Sequence, residues 1–75
     1  MEKDEIGARL AAERFRLGLT QVQLGELIGR TSQSISNWEN DRSRPSAKDL
    51  QLLSRLGFDV EFVLVGLDEE LQTTL

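Results

Sequence analysis

A short helix predicted at residues 32–40 carries five uncharged side chains, all able to hydrogen-bond, on one face. At relative positions i, i+1, i+4, i+5 and i+8 these are Ser32, Gln33, Ser36, Asn37 and Asn40. Helical spacing puts them opposite Ile35 and Trp38, whereas an ordinary exposed face is rich in charged residues. Gln and Asn can bond adenine through two hydrogen bonds, and Ser fits several base edges. The pattern therefore favours hydrogen bonding to duplex DNA over a merely solvated face.

A basic loop follows this helix and could hold the phosphates beside such bases. Arg42 and Arg44 lie in it, and Pro45, the single proline of the chain, closes it. The net charge is −4, but residues 6–57 carry eight basic against five acidic side chains, so this segment is positive. Local potential governs a contact within a Debye length of about 8–10 Å. The charge distribution is thus compatible with a DNA partner.

Several kinds of function are disfavoured by composition. The 75 residues include no cysteine and no histidine, which removes disulfides, thiol and imidazole catalysis, and the usual ligands of zinc. The acidic run at residues 68–70 lacks the spacing of a metal-binding loop. No stretch reaches the roughly 18 apolar residues of a membrane span, and the acidic start does not resemble a signal peptide. We expect no enzyme activity, no cofactor, no metal, no membrane contact and a cytoplasmic location.

Capping signals predict where four helices begin and end. The first helix is expected at residues 4–17, and the fourth reaches about residue 56. The residues predicted to cap the second, third and fourth helices are Thr20, Thr31 and Ser46. Gln23 and Asp49 lie three residues after two of these caps and complete capping boxes. The glycines predicted to end the first, second and fourth helices are Gly18, Gly29 and Gly57.

Apolar residues at helical spacing predict the core. The expected inward residues are Ile6, Leu10 and Leu17, then Val22, Leu24, Leu27 and Ile28, then Ile35 and Trp38, and finally Leu50, Leu53 and Leu56. Gly25 and Gly29 fit two short helices that meet at a tight turn, because the crossing needs a residue without bulk and the turn needs a positive φ. Residues 58–65 stay open between a strand, from their alternation, and a short helix capped by Asp59.

Two charges lie on these apolar stripes. Arg14 follows Leu10 by four residues, and Glu39 follows Ile35 by four. A charge on a buried face needs a partner, so we predict an ion pair between Arg14 and Glu39 across the first and third helices.

The run TQVQLGELIGRTSQSISNWENDRSRPS, residues 20–46, resembles the Cro/cI-type (XRE) helix-turn-helix family of phage repressors and bacterial regulators. The segment LGFDVEFVLVG, residues 56–66, is similar to that family's closing short helix. The resemblance implies an all-α, lambda-repressor-like compact bundle of five short helices. We expect a single domain over residues 1–75, with its core at about 6–66 and a tail at 67–75.

The resemblance also implies roles for individual side chains. Those expected to read bases are Ser32, Gln33, Ser36 and Asn37. Those expected to hold phosphates are Gln21, Asn40, Arg42 and Arg44. Arg30, beside the turn, is a further candidate for a phosphate contact, although it could be merely solvated. The resemblance implies the same ion pair between Arg14 and Glu39.

The function implied is a sequence-specific transcriptional regulator of double-stranded DNA, a repressor, acting as a homodimer on a palindromic operator. Residues 58–67 and the tail are the candidate dimer surface, since they offer apolar residues beyond the needs of the core. The alternative is an antitoxin or adaptor whose main partner is another protein, bound through the acidic C-terminal segment, with DNA binding secondary.

Overall fold

The computed structural model describes residues 5–66 of the chain. These residues form five α-helices joined by short turns and loops. In chain order they are α1 (Ile6–Arg16), α2 (Gln21–Ile28), α3 (Ser32–Glu39), α4 (Ala47–Arg55) and α5 (Val60–Val65). None of the residues from 5 to 66 lies in a strand, so the predicted all-α bundle of five short helices is confirmed. None of these five helices is long and apolar enough to cross a membrane. The predicted tail at 67–75 and the expected start of α1 at residue 4 lie outside the described residues.

Side-chain caps begin α2, α3 and α4 where the sequence predicts them. The Thr20 hydroxyl accepts from the Gln23 backbone N–H at 3.0 Å, and Gln23 Oε1 accepts from the Thr20 N–H at 2.9 Å. Ser46 and Asp49 form the same reciprocal box at α4, and the Thr31 side chain caps α3. These bonds satisfy N–H groups that have no partner within their helix. Local sequence therefore determines where each of the three helices starts.

The turn between α1 and α2 closes on Gly18, as predicted. Its φ of +74° lies in the left-handed region that favours glycine. The Gly18 N–H donates to the Phe15 carbonyl at 3.0 Å, and the Leu19 N–H donates to the Arg14 carbonyl at 3.1 Å. These two bonds form a Schellman motif, which satisfies the last carbonyls of α1. The chain is thereby turned directly into the cap of α2.

Within residues 58–65, left open between strand and helix, residues 60–65 form the helix α5. The Asp59 carboxylate caps α5 by accepting from the Phe62 N–H at 3.0 Å. Phe58 and Val63 are buried while Leu64 is exposed, which does not match the alternation of a strand. The cap and the packing of Val63 therefore outweigh the apparent period of two.

The core lies where α1 packs against α3 and α5, and α2 packs against α3 and α4. Its buried apolar residues are Leu10, Leu24, Ile28, Ile35, Trp38, Leu53, Phe58 and Val63. Most expected core residues belong to this set or pack against it. Val22 and Leu27 do not, and that prediction is wrong: each is 56% exposed. The short α2 buries only a narrow stripe through Leu24, Gly25 and Ile28, and the other two positions lie beside it.

Two glycines let backbone segments approach each other closely. A Cβ on Gly25 would collide with the carbonyl oxygen of Arg30, in the turn that follows α2. A Cβ on Gly7 would lie 2.7 Å from the Trp38 carbonyl oxygen and still closer to that of Glu39. The first contact agrees with the predicted need for a small residue near the turn. The second, which sets the distance between α1 and the end of α3, is not predicted from the sequence.

Candidate nucleic-acid interface

The four residues expected to read bases share one face of α3. Ser32 and Gln33 are exposed and Ser36 and Asn37 are half-buried, whereas the opposite face, with Ile35 and Trp38, is buried. Trp38 is thereby part of the core and not a surface for stacking a base. The result is a neutral face with amide and hydroxyl groups, about two turns long, held rigidly by the packing beneath it.

Hydrogen bonds order the side chains of this face among themselves. Gln33 Nε2 donates to Asn37 Oδ1 at 3.1 Å. α3 ends at Glu39, one residue before its predicted end, and Asn40 is its C-cap. Asn40 Nδ2 donates to the Ser36 carbonyl at 2.8 Å and to its hydroxyl at 3.4 Å. Exposed bonds of this i, i+4 kind contribute about 0.2–0.5 kcal/mol, so they orient the groups without locking them.

The loop after α3 is fastened to two helices. Asp41 has a φ of +60°, a conformation that Asp tolerates better than most residues. Its Oδ1 accepts from the Gly7 backbone N–H of α1 and from Arg44 Nη1, each at 3.0 Å. The Arg42 N–H donates to the Asn37 carbonyl at 2.8 Å. Arg42 and Arg44 are therefore exposed on a fixed loop next to the polar face of α3.

Sequence reasoning did not single out Asp41, although this residue organises the basic loop. The available signal was an Asp directly after the helix, since Asp can occupy a left-handed position in a turn. Its bond to Gly7, 34 residues away, left no trace in the local pattern.

Gln21 begins α2 and is half-buried. Its Nε2 donates to Glu39 Oε1 at 3.0 Å, so its amide faces the end of α3. The backbone at this helix N-terminus carries the partial positive charge that attracts anions. The first residue of α2 thus lies next to the end of α3, near the residues expected to bind DNA.

The predicted partners Arg14 and Glu39 meet in the structure. Arg14 Nε donates to Glu39 Oε2 at 2.6 Å and Nη2 donates to Oε1 at 3.0 Å. The two side chains are 9% and 7% exposed. The Glu39 carboxylate raises the pKa of Arg14 through these hydrogen bonds, against the opposing effect of burial. Arg14 Nη1 also donates to the Leu19 carbonyl at 2.9 Å, in the turn that leads to α2.

Arg30 bonds a protein carboxylate, whereas the sequence suggested either a phosphate contact or a solvated side chain. Its Nε and Nη2 donate to the two carboxylate oxygens of Asp49 at 2.9 and 3.0 Å. Burial alone would raise the pKa of Asp49, but bonds from Arg30 and Ser46 outweigh it and lower that pKa. The pair ties the turn after α2 to α4. Two of the three guanidinium nitrogens are thus engaged, which weighs against Arg30 as a main phosphate contact.

A second buried glutamate, also missed from the sequence, joins α1 to α5. Glu13 accepts from Arg16 at 2.7 and 3.0 Å and from the Asp59 backbone N–H at 2.8 Å. Arg16 also donates to the Gly57 carbonyl at 2.7 Å. Hydrogen bonding from Arg16 lowers the pKa of Glu13, although burial opposes it. Its position three residues after Leu10, on the inner side of α1, was the signal that could have found it.

Comparison with known proteins agrees with this geometry. A family model described as helix-turn-helix matches residues 10–60. The repressor protein C2 of Salmonella phage P22 is 33% identical over 67 residues, which cover 88% of this chain and 31% of that protein. An uncharacterized HTH-type transcriptional regulator of Sinorhizobium medicae (strain WSM419) is 37% identical over 51 residues, covering 68% of this chain and 37% of that protein. The chain spans about a third of the length of these curated relatives.

Two solved structures share the fold. The crystal structure of the P22 c2 repressor protein in complex with a synthetic operator matches with a TM-score of 0.76 at 31% identity, over 85% of this chain and 98% of that one. The solution structure of the DNA-binding domain of the same repressor matches with a TM-score of 0.76 at 28% identity, over 92% and 93%. The family model, the relatives in sequence and the solved structures agree, and the chain belongs to the Cro/cI-type helix-turn-helix family of DNA-binding regulators.

Proposed function

We propose that this chain binds duplex DNA in a sequence-specific way as part of a transcriptional repressor, with α3 in the major groove. The observation that carries the proposal is the neutral hydrogen-bonding face of α3 beside the fixed loop of Arg42 and Arg44. The P22 c2 repressor has the same fold, and its crystal structure was determined in complex with a synthetic operator. Both the local chemistry and the family support this function.

Base reading falls to Gln33, Asn37, Ser36 and Ser32. Gln33 donates one amide N–H to Asn37, which leaves its second N–H and its side-chain carbonyl oxygen for a base. That combination matches the N7 acceptor and N6 donor of adenine in the major groove. Asn37 accepts from Gln33 through its oxygen, and its NH₂ group suits an acceptor such as guanine O6 or thymine O4.

Phosphate binding falls to two groups of residues near that face. Gln21 and the N-terminal amides of α2 meet the end of α3 at Glu39, and Asn40, Arg42 and Arg44 follow α3 in the chain. Contacts of this kind fix the register of a protein on the duplex without reading its sequence. Arg30 contributes only through the guanidinium N–H groups that do not bond Asp49.

A homodimer on a palindromic operator completes the proposal. One copy offers few positive charges, and two copies at half-sites about 34 Å apart would add their contacts. Leu64 and Val65 of α5 are large exposed apolar residues within the candidate dimer segment. Because residues 60–65 of this segment form α5, pairing through them would be helix against helix.

An antitoxin or adaptor role with secondary DNA binding is not favoured. The matched relatives are named as a repressor and as transcriptional regulators. The acidic run at 68–70, on which the alternative depended, lies outside the described residues.

The test is selection from a random-sequence duplex pool by the purified chain, followed by salt titration of the recovered sequence. We expect enrichment of one two-fold symmetric site and an affinity that falls as salt increases. Recovery of unrelated sequences with equal affinity would contradict sequence-specific binding.

A further inference from the structure

One carboxylate connects the predicted phosphate contact to the buried ion pair. Glu39 Oε1 accepts from Gln21 Nε2 and from Arg14 Nη2, each at 3.0 Å. Glu39 Oε2 accepts from Arg14 Nε at 2.6 Å. α1, α2 and α3 each contribute one of these three side chains, so three helices meet at a single buried group.

We propose that Glu39 is a positioning residue, which holds the amide of Gln21 in the orientation that binds a DNA phosphate. The inference rests on the proposed function, since it requires a phosphate at the start of α2. It assigns to Glu39 a role in DNA affinity in addition to the structural role predicted from the sequence.

The chemistry of a primary amide explains why its orientation matters. A phosphate accepts hydrogen bonds only, and Gln21 can donate to it only from Nε2, since its Oε1 is an acceptor. A freely rotating glutamine would present either end. The Glu39 carboxylate also only accepts, so it selects the nitrogen end and engages one of its two N–H groups. The second N–H stays available to a phosphate.

Arg14 makes it possible for a carboxylate to act so close to a phosphate. An uncompensated negative charge at this position would repel the backbone of DNA. The bidentate salt bridge from Arg14 neutralises the charge of Glu39, and both side chains are almost fully buried. Arg14 also holds the turn before Gln21 through two hydrogen bonds with Leu19. Its Nη1 donates to the Leu19 carbonyl, and its backbone carbonyl accepts from the Leu19 N–H.

The chain contains a matched control for the effects of burial alone. Glu13 is also buried and also bonded at both oxygens by an arginine, Arg16. Its remaining partner is the Asp59 N–H at the start of α5, and no bond joins it to Gln21. Changing Glu13 should therefore disturb packing as a change of Glu39 does, without touching the amide of Gln21.

The experiment is a double-mutant cycle in which the full chain binds the duplex recovered by selection. We expect Glu39→Gln to weaken binding by about three- to tenfold, the range of a single hydrogen bond. In the Gln21→Ala background the same change should cost less than about twofold, because the group being positioned is gone. Glu13→Gln should change affinity by the same factor in both backgrounds. All variants are compared at a temperature where circular dichroism shows them folded.

Equal losses from Glu39→Gln in both backgrounds would overturn the inference and leave Glu39 a structural residue. So would a Gln21→Ala variant that binds as tightly as the unmodified chain. Glu39→Asp keeps the charge but withdraws it from Gln21, and should give the same coupling if Glu39→Gln does not fold. Failure of the unmodified chain to bind any selected duplex would instead contradict the proposed function itself.

A second measurement identifies the phosphate. Duplexes with one neutral methylphosphonate at a time should include a position that weakens the unmodified chain but not Gln21→Ala. That position should also lose most of its effect in Glu39→Gln. A full effect in Glu39→Gln would contradict the positioning role.

Discussion

The side chains of Glu39 and Glu13 are both buried and each is bonded by an arginine at two oxygens, yet the two glutamates join different helices. Glu39 joins α3 to α1 and to the start of α2, next to the polar face. Glu13 joins α1 to the start of α5. The partner of Glu39 is 9% exposed, whereas the partner of Glu13 is 53% exposed.

The difference follows from their places on α1. Glu13 and Arg14 are neighbours in the chain, and successive residues of a helix point about 100° apart. One therefore faces α5 and the other faces α3. The same helix supports the pair with Glu39 of α3 on one side and the closing helix α5 on the other, and we expect the depth of burial to decide how much each arginine contributes to stability.

The largest expected effect is the loss of the enclosed arginine. Arg14→Ala should lower the free energy of unfolding by about 3–5 kcal/mol, because it leaves the buried Glu39 carboxylate without its cation. Arg16→Ala should lower it clearly less, since solvent already reaches that guanidinium. Urea denaturation of the two variants measures both. Equal losses would show that burial does not distinguish the two pairs.

A smaller and more local effect is expected at the other glutamate. Glu13→Ala removes the acceptor of the Asp59 N–H and should cost about 1–3 kcal/mol, the penalty of an unsatisfied buried donor. Amide hydrogen exchange should become faster in α5 than in α3, because the Glu13 carboxylate fastens the start of α5 to α1. Uniform acceleration across both helices would contradict a local role for Glu13.

On the polar face of α3 and its loop, removal of a proposed base reader and removal of a proposed phosphate contact should differ in kind. Gln33→Ala should relax preference at one base pair, at a cost of about 1–3 kcal/mol on the selected sequence. Arg44→Ala should weaken all sequences alike and reduce the salt slope by about one. Competition binding with single-base variants of the selected duplex at several salt concentrations distinguishes them. A uniform effect of Gln33→Ala would rule out its base-reading role.

The smallest expected effect is a loss of stability in acid. The pKa of Glu13 is held below its ordinary value of 4.5 and that of Asp49 below 3.8. The unfolded chain therefore takes up protons first as the pH falls, and the folded state loses stability below about pH 4.5. The urea concentration at the midpoint of unfolding, measured from pH 7 to 3, should fall below about pH 4.5. The fall should be smaller for Glu13→Gln than for the unmodified chain. If the urea midpoint of Glu13→Gln fell with pH as steeply as that of the unmodified chain, Glu13 would not contribute to the loss of stability in acid.

Local pattern was sufficient for most of the helix boundaries. Thr20, Thr31 and Ser46 begin their helices as predicted, because a capping side chain needs only its own next three residues. The same holds for Gly18, because the turn that closes the end of α1 requires a left-handed φ at this position. Val22 and Leu27 show the limit of this reasoning, since an apolar residue on a short helix is buried only if another element covers it.

The pair Arg14 and Glu39 was within reach of the sequence for a different reason. Each is a charged residue on an apolar stripe, and a buried charge needs a partner of opposite sign. The two could therefore be paired with each other from the sequence. Arg30 lacked this signal, because its position beside a turn is compatible with solvent. Its partner Asp49 was already accounted for as part of a capping box, and only the packing of the turn against α4 brings the two together.

The sequence by itself thus determined the first four helices, the caps of α2, α3 and α4, and the polar face of α3, because these depend on neighbours within one or two helical turns; its longer run at residues 20–46 also indicated the family. Tertiary structure decided the spacing of α1 from α3 at Gly7, the attachment of α5 through Glu13, and the meeting of Gln21 with Glu39. These contacts join residues 18 to 46 positions apart. Their geometry depends on how the helices pack, and no local period in the sequence records it.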